Sequence, residues 1–271
     1  MSLEDLIQSV PAYVLVLFRV AGMMVLAPLL GSGRIPRQVK ALIAVVLAVG
    51  VMPAAVAAAP TVAWPETTWS LALAIGGEMS FGLAMGMALS FVFIGAQWAG
   101  DMVGQQMGFD LAAAFDPQFG TQGSVVGEFY YMLALVVFLA AQGHHAMIRG
   151  VAHSFEVLPL LSIGADRPVF DLVIGLFQGC TSLAFRLAGP MFVTMLVVDV
   201  ALGFLSKTVP QLNVMSVGMS LRSVIGLVVM ILGIGLTAHV IGEAIGDAMT
   251  VVSNGWAGMS LVPSPGTPGE G

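Results

Sequence analysis

Four charged side chains stand inside apolar stretches of this 271-residue chain: Arg19, Glu78, Arg186 and Asp199. Even lenient insertion scales charge about 2.5–3.5 kcal/mol for an Arg or Asp at the centre of a membrane helix, so each needs a reason. As a set they could relay a proton or an ion. They could equally be ion pairs facing protein, or side chains reaching an interface. They do not cluster in sequence, and Arg186 and Asp199 stand several turns apart along one helix, which favours the structural role. His144 and His145 are neighbours, so on a helix their side chains diverge by about 100° and do not readily face one metal. No HExxH, GxSxG, P-loop or paired-cysteine motif occurs, and "AIGDAM" (Ala244–Met249) lacks the first glycine of a GxGD protease motif. Neither catalysis, cofactor nor metal is expected.

The surrounding chain explains why these charges stand out. Hydrophobic residues make up 58% and charged residues 9%, against about 25% charged in a soluble domain. This is the composition of an integral membrane protein. Ala41–Pro65, Met79–Gly100, Phe129–Ile148 and Ser223–Gly242 are charge-free and reach or pass the roughly 20 residues that span hydrocarbon. Tyr13–Leu30 and Leu172–Leu205 are apolar but interrupted, giving six segments in all. A net charge of −6 without a basic stripe argues against nucleic acid, and the single Cys180 leaves no intrachain disulfide. The first ten residues have no basic run, so no cleavable signal peptide is expected.

Long continuous runs indicate helices rather than a barrel. The expected elements are helices at about 6–30, 38–59, 70–100, 125–149, 170–206 and 218–252, with Pro190 breaking the fifth. Trp64 and Trp69 suit a headgroup-level turn. Arg34, Arg37 and Lys40 place the first loop in the cytoplasm. Six simple crossings would then put the acidic stretch 101–124 inside and Arg149 and Arg167 outside, backwards for both. Helices that face protein rather than lipid would escape that rule. Gly82/Gly86, Gly100/Gly104/Gly108, Gly175/Gly179 and Gly242/Gly246 stand four apart, a spacing that lets helices approach closely.

Between two of the apolar runs lies "QQMGFDLAAAFDPQFGTQGS" (Gln105–Ser124), rich in Gly, Phe, Gln and Asp and free of Lys and Arg. Irregular backbone at membrane depth is tolerated only where protein or a water-filled cavity surrounds it, and apolar constrictions gate by excluding water.

Three stretches in register resemble the FliR family of the type III protein export apparatus and its injectisome counterparts. They are "APLLGSGRIPRQVKALIAVVLA" (Ala27–Ala48), Met107–Ile148 with its M-G, D-P-x-x-G, F-Y and G-H elements, and Leu187–Leu227, with D-x-x-x-G at Asp199–Gly203 and P-Q-L-N at Pro210–Asn213. Met215 replaces the usual Phe, and Gln142 stands where the family has Asn before Gly143–His144. The likeness covers 1–258 as one membrane domain; residues 259–271 form a Gly/Pro tail expected to be disordered.

The resemblance implies a non-enzymatic, all-α pore subunit in the bacterial inner membrane, at the flagellar basal body. About six helices would form curved hairpins, packed with FliP-like and FliQ-like subunits near FlhB-like and FlhA-like proteins, and unfolded polypeptides would pass through. It further implies that the Gln105–Ser124 region is a plug. Met107, Phe109, Phe115 and Phe119 would form its seal. Gly108, Gly120 and the Asp116–Pro117 break would give it freedom, and Asp110 and Asp116 would anchor it. Pro36, Lys40, Arg186, Pro190, Asp199, Pro210, Gln211 and Asn213 take structural or assembly roles. The alternatives are an injectisome subunit, or a proton-coupled solute transporter with Glu78 or Asp199 as carrier.

Overall fold

The computed structural model describes residues 3–28, 30–31, 35–58, 67–109, 124–161, 168–208 and 214–254. Among these residues every regular element is a helix: α1 (Leu3–Leu26), α2 (Arg37–Ala58), α3 (Thr68–Met107), α4 (Val125–Ala140), α5 (Gly143–Val157), α6 (Pro168–Thr208) and α7 (Val214–Asn254). Four of them (α2, α3, α6 and α7) are long and apolar enough to cross a bilayer, and α4 with α5 could form a fifth, broken span. The all-α membrane architecture expected from the sequence is therefore present, with seven helices in place of six.

Helix starts follow local chemistry. At α3, Thr67 Oγ1 accepts from the Ser70 N–H at 3.2 Å while Ser70 Oγ accepts from the Thr67 N–H at 3.3 Å. This reciprocal pair is a capping box with serine in the usual Glu position. Pro36 offers its carbonyl to the N–H groups of Val39 and Lys40 at the head of α2. Pro168 opens α6, where a missing N–H costs nothing.

Two expectations fail. The helix predicted over 125–149 is interrupted at Ala141–Gln142, where Gln142 adopts a left-handed φ of 55°. In the other direction, α6 continues through Pro190, as α2 does through Pro53. Proline removes one donor and crowds the preceding turn, but neighbouring groups in a membrane protein can compensate, and the helix persists.

The chain forms two compact units. The first comprises 1–90, 142–176 and 246–271, the second 91–141 and 177–245, so α3, α6 and α7 each contribute to both. In the first unit α2 lies against α1 and α5, burying the stripe Ala44, Ala48, Val51 and Ala55. The α1–α3 contact is closer still. A Cβ added to Gly82 would collide with the Arg19 carbonyl, one on Gly86 with the Met23 carbonyl, and one on Gly22 with the Met79 carbonyl. Ser90 Oγ donates to the Leu26 carbonyl at the end of this seam. In the second unit Phe93 of α3 makes ring contacts with Tyr131 and Phe138 of α4, at 5.7 and 5.6 Å between centroids.

Candidate functional site

The roots of the Gln105–Ser124 segment belong to the second unit. Met107 ends α3 and is fully buried. Its carbonyl accepts from Ser223 Oγ of α7 at 2.9 Å, and its side chain fills the space that a Cβ on Gly226 would need. Gly108 follows with φ of 80°, a conformation that glycine adopts without strain, and donates its N–H to the Gln105 carbonyl at 3.1 Å. Phe109 is 40% exposed.

At the other root Ser124 is the N-cap of α4 in extended backbone (φ −67°, ψ 133°) and makes no side-chain cap bond. Its Oγ is buried without a hydrogen-bond partner among the described residues and stands against Gly104. The two roots are held together because α4 runs close along α3. A Cβ at Gly100 would lie 2.6 Å from the Val126 carbonyl, and one at Gly127 would strike the Asp101 carboxylate. Two members of the Gly100–Gly104–Gly108 row thus serve close helix approach, and the third turns the chain. Asp110, Phe115, Asp116, Pro117, Phe119 and Gly120 lie outside the described residues, as do Pro210, Gln211 and Asn213.

The four intramembrane charges resolve into separate ion pairs. In the first unit Arg19 Nε donates to Glu78 Oε2 at 2.6 Å, and both side chains are buried. The guanidinium carbon lies over the rings of Phe81 and Phe155, 4.8 and 4.1 Å from their centroids. Arg19 Nη1 donates to the carbonyls of Ser154 and Leu158 at 3.3 and 3.1 Å and to Ser154 Oγ at 3.3 Å. Glu78 Oε1 accepts the Leu161 N–H at 3.2 Å. In the second unit Asp199 of α6 pairs with Arg222 of α7, and Arg186 pairs with Glu243 at 3.7 Å. Arg186 and Asp199 therefore do not meet each other; each takes a partner on α7. The sequence reading missed Arg222 and Glu243 because both lie near the ends of the apolar run on α7. His144 and His145 sit on the first turn of α5 with ring centroids 4.2 Å apart.

This arrangement has ion pairs on long apolar helices and a tethered Gly/Phe segment. Residues 10–248 match the family described as "Bacterial export proteins, family 1". The chain belongs to that family. The flagellar biosynthetic protein FliR of Bacillus subtilis is 30% identical over 235 residues, 84% of this chain and 88% of that protein. FliR of Escherichia coli is 29% identical over 218 residues, 79% of this chain and 80% of that protein. The surface presentation of antigens protein SpaR of Shigella flexneri is 28% identical over 150 residues, 55% of this chain and 58% of that protein. Among the motif positions that led to this bacterial export family, Pro36 and Lys40 occupy the head of α2, Pro190 lies on an exposed part of α6, and Gln142 occupies the left-handed break before α5.

Proposed function

We infer that this protein is a structural pore subunit of the flagellar type III protein export gate, a multi-pass protein of the bacterial inner membrane at the flagellar basal body. It serves export of unfolded flagellar proteins and so flagellum assembly. The observation that carries this reading is the alignment with a flagellar biosynthetic protein over 84% of the chain, inside a family match from residue 10 to 248. FliR of Bacillus subtilis and of Escherichia coli each align with more of the chain than SpaR of Shigella flexneri does, which favours the flagellum over the injectisome.

The packing agrees with a subunit built for an assembly. Only 11% of the most apolar window of α7 is buried within the chain, and 22% of that of α2. Such faces require lipid or further helices against them. FliP-like and FliQ-like subunits fill that need in this reading, with FlhB-like and FlhA-like proteins nearby, and the chain itself has no catalytic role. A solute carrier using Glu78 is disfavoured, because that carboxylate is buried against Arg19 and the Leu161 N–H. The segment rooted at Met107 and Ser124 acts as the plug: Phe109, Phe115 and Phe119 provide apolar closure, Met107 its fixed end, and Asp110 and Asp116 its polar anchors.

Co-purification from mild detergent tests the assembly: FliP- and FliQ-like proteins should accompany the full chain taken from its native membrane, and their absence from that material would refute it. Deleting Gly108–Gly120 tests the plug. The assembled gate should then leak small ions, and unchanged membrane permeability would rule the plug out.

A further inference from the structure

Arg19 does more than neutralise Glu78. Its Nη1 reaches the carbonyls of Ser154 and Leu158, in the last turn and at the C-cap of α5. The Ser154 carbonyl already accepts the Leu158 N–H at 2.9 Å and takes Arg19 as a second donor, whereas the Leu158 carbonyl stands past the last turn. A cation there also meets the negative end of the helix dipole. The capping group here comes from a different helix, α1, and its partner carboxylate from a third, α3. Glu78 in turn takes the N–H of Leu161, and Leu161 has φ of 68°. A leucine has no intrinsic reason to adopt the left-handed region, and such a conformation persists only when its surroundings enforce it.

We propose that the Arg19–Glu78 pair is a latch: Arg19 caps α5 in trans while Glu78 holds the strained turn at Leu161, together fixing where the chain leaves α5 on its way to α6. A buried ion pair is a poor choice if the only need is to glue helices, since apolar residues of similar volume serve as well or better. Its advantage is geometric. The planar guanidinium fork serves a carboxylate through Nε and helix carbonyls through Nη1, with the rings of Phe81 and Phe155 packed against it. Three helices and one turn are thereby fixed by two side chains. Release of either charge frees the Leu161 amide first, because its N–H is held by Glu78 Oε1.

Hydrogen exchange of the full-length chain, purified in its native assembly, tests the latch. Glu78→Gln should speed exchange of the Leu158, Leu160 and Leu161 amides at least tenfold while amides in the middle of α1 stay protected. The double replacement Arg19→Met with Glu78→Leu removes the unpaired charge, so it should accumulate normally and still show fast exchange at these three amides. It decides the matter if the single variant fails to accumulate. Leu161→Gly, which relieves the strain and keeps the pair, should leave exchange of the neighbouring amides slow. Continued protection of those three amides in the double variant would overturn the latch, and so would an equal acceleration throughout α1 and α3.

Discussion

In the first unit the ion pair has essentially no accessible surface: Arg19 and Glu78 are exposed by 0% and 1%. In the second unit Arg222 and Asp199 keep 39% and 43% of theirs, and Arg186 and Glu243 keep 61% and 53%. The chain itself dehydrates the first pair and adds hydrogen bonds at Arg19 Nη1 and Glu78 Oε1, while Arg19 Nη2 is buried without a hydrogen-bond partner among the described residues. The others wait on α6 and α7 beside exposed Val193, Leu196, Val197, Val224, Ile231 and Leu232. Charges set among aliphatic side chains that the chain does not cover belong against water or another subunit, not hydrocarbon. The same residue types thus do different work: one pair organises the fold, and the others remain available to an assembly.

That contrast can be broken most severely at the buried pair. Removing one partner leaves an uncompensated buried charge, at a cost of about 3–5 kcal/mol. Arg19→Met alone should therefore strip most of the protein from the membrane fraction on an immunoblot. If its level equals that of wild type, the pair is not the organiser described here. The seam beside it should be nearly as sensitive. Gly82→Ala places a methyl group on the Arg19 carbonyl, and overpacking of this kind costs about 1–3 kcal/mol. The thermal midpoint of the detergent-solubilised chain should fall, whereas Gly179→Ala, with open space around it, should not move it.

Asp199→Asn comes next in size. Partly exposed pairs contribute about 0–1 kcal/mol, so the midpoint of the isolated chain should change little. Recovery of the assembled gate should drop instead. A large loss of monomer stability would erase the distinction between the units. The smallest effect is expected at Gln142. A non-glycine residue in the left-handed region costs roughly 1 kcal/mol or more, and Asn tolerates it better than Gln. Gln142→Asn should raise the midpoint slightly, and Gln142→Val should lower it.

Much of this was legible in the residues. Apolar runs without charges marked the helices because hydrocarbon tolerates little else, and the Gly82/Gly86 and Gly100/Gly104 rows identified seams that exist. The same spacing at Gly175/Gly179 has nothing within 4 Å. Spacing alone registers the possibility of close approach and not the presence of a neighbour. The break at Gln142 escaped because apolar character resumes beyond it. The one available signal was a polar Gln-Gly-His-His run, together with the family's preference for Asn at a position that turns out to be left-handed. Pro190 misled for the opposite reason: its effect on an isolated helix is local, yet α6 continues through it as one helix. The pairing of Arg19 with Glu78 could not be read at all, since 59 residues separate them and only the folded contact of α1 with α3 joins them.

Because Gly100 and Gly104 fix the spacing of α3 and α4, the chain between Met107 and Ser124 starts and finishes at two neighbouring posts whose separation is set before that stretch adopts any shape. Residues inserted at its middle would alter how far it extends, while a bulkier side chain at Gly104 would shift the ground on which it stands. Reach and placement are therefore governed by different positions, and evolution or an engineer can adjust one without disturbing the other.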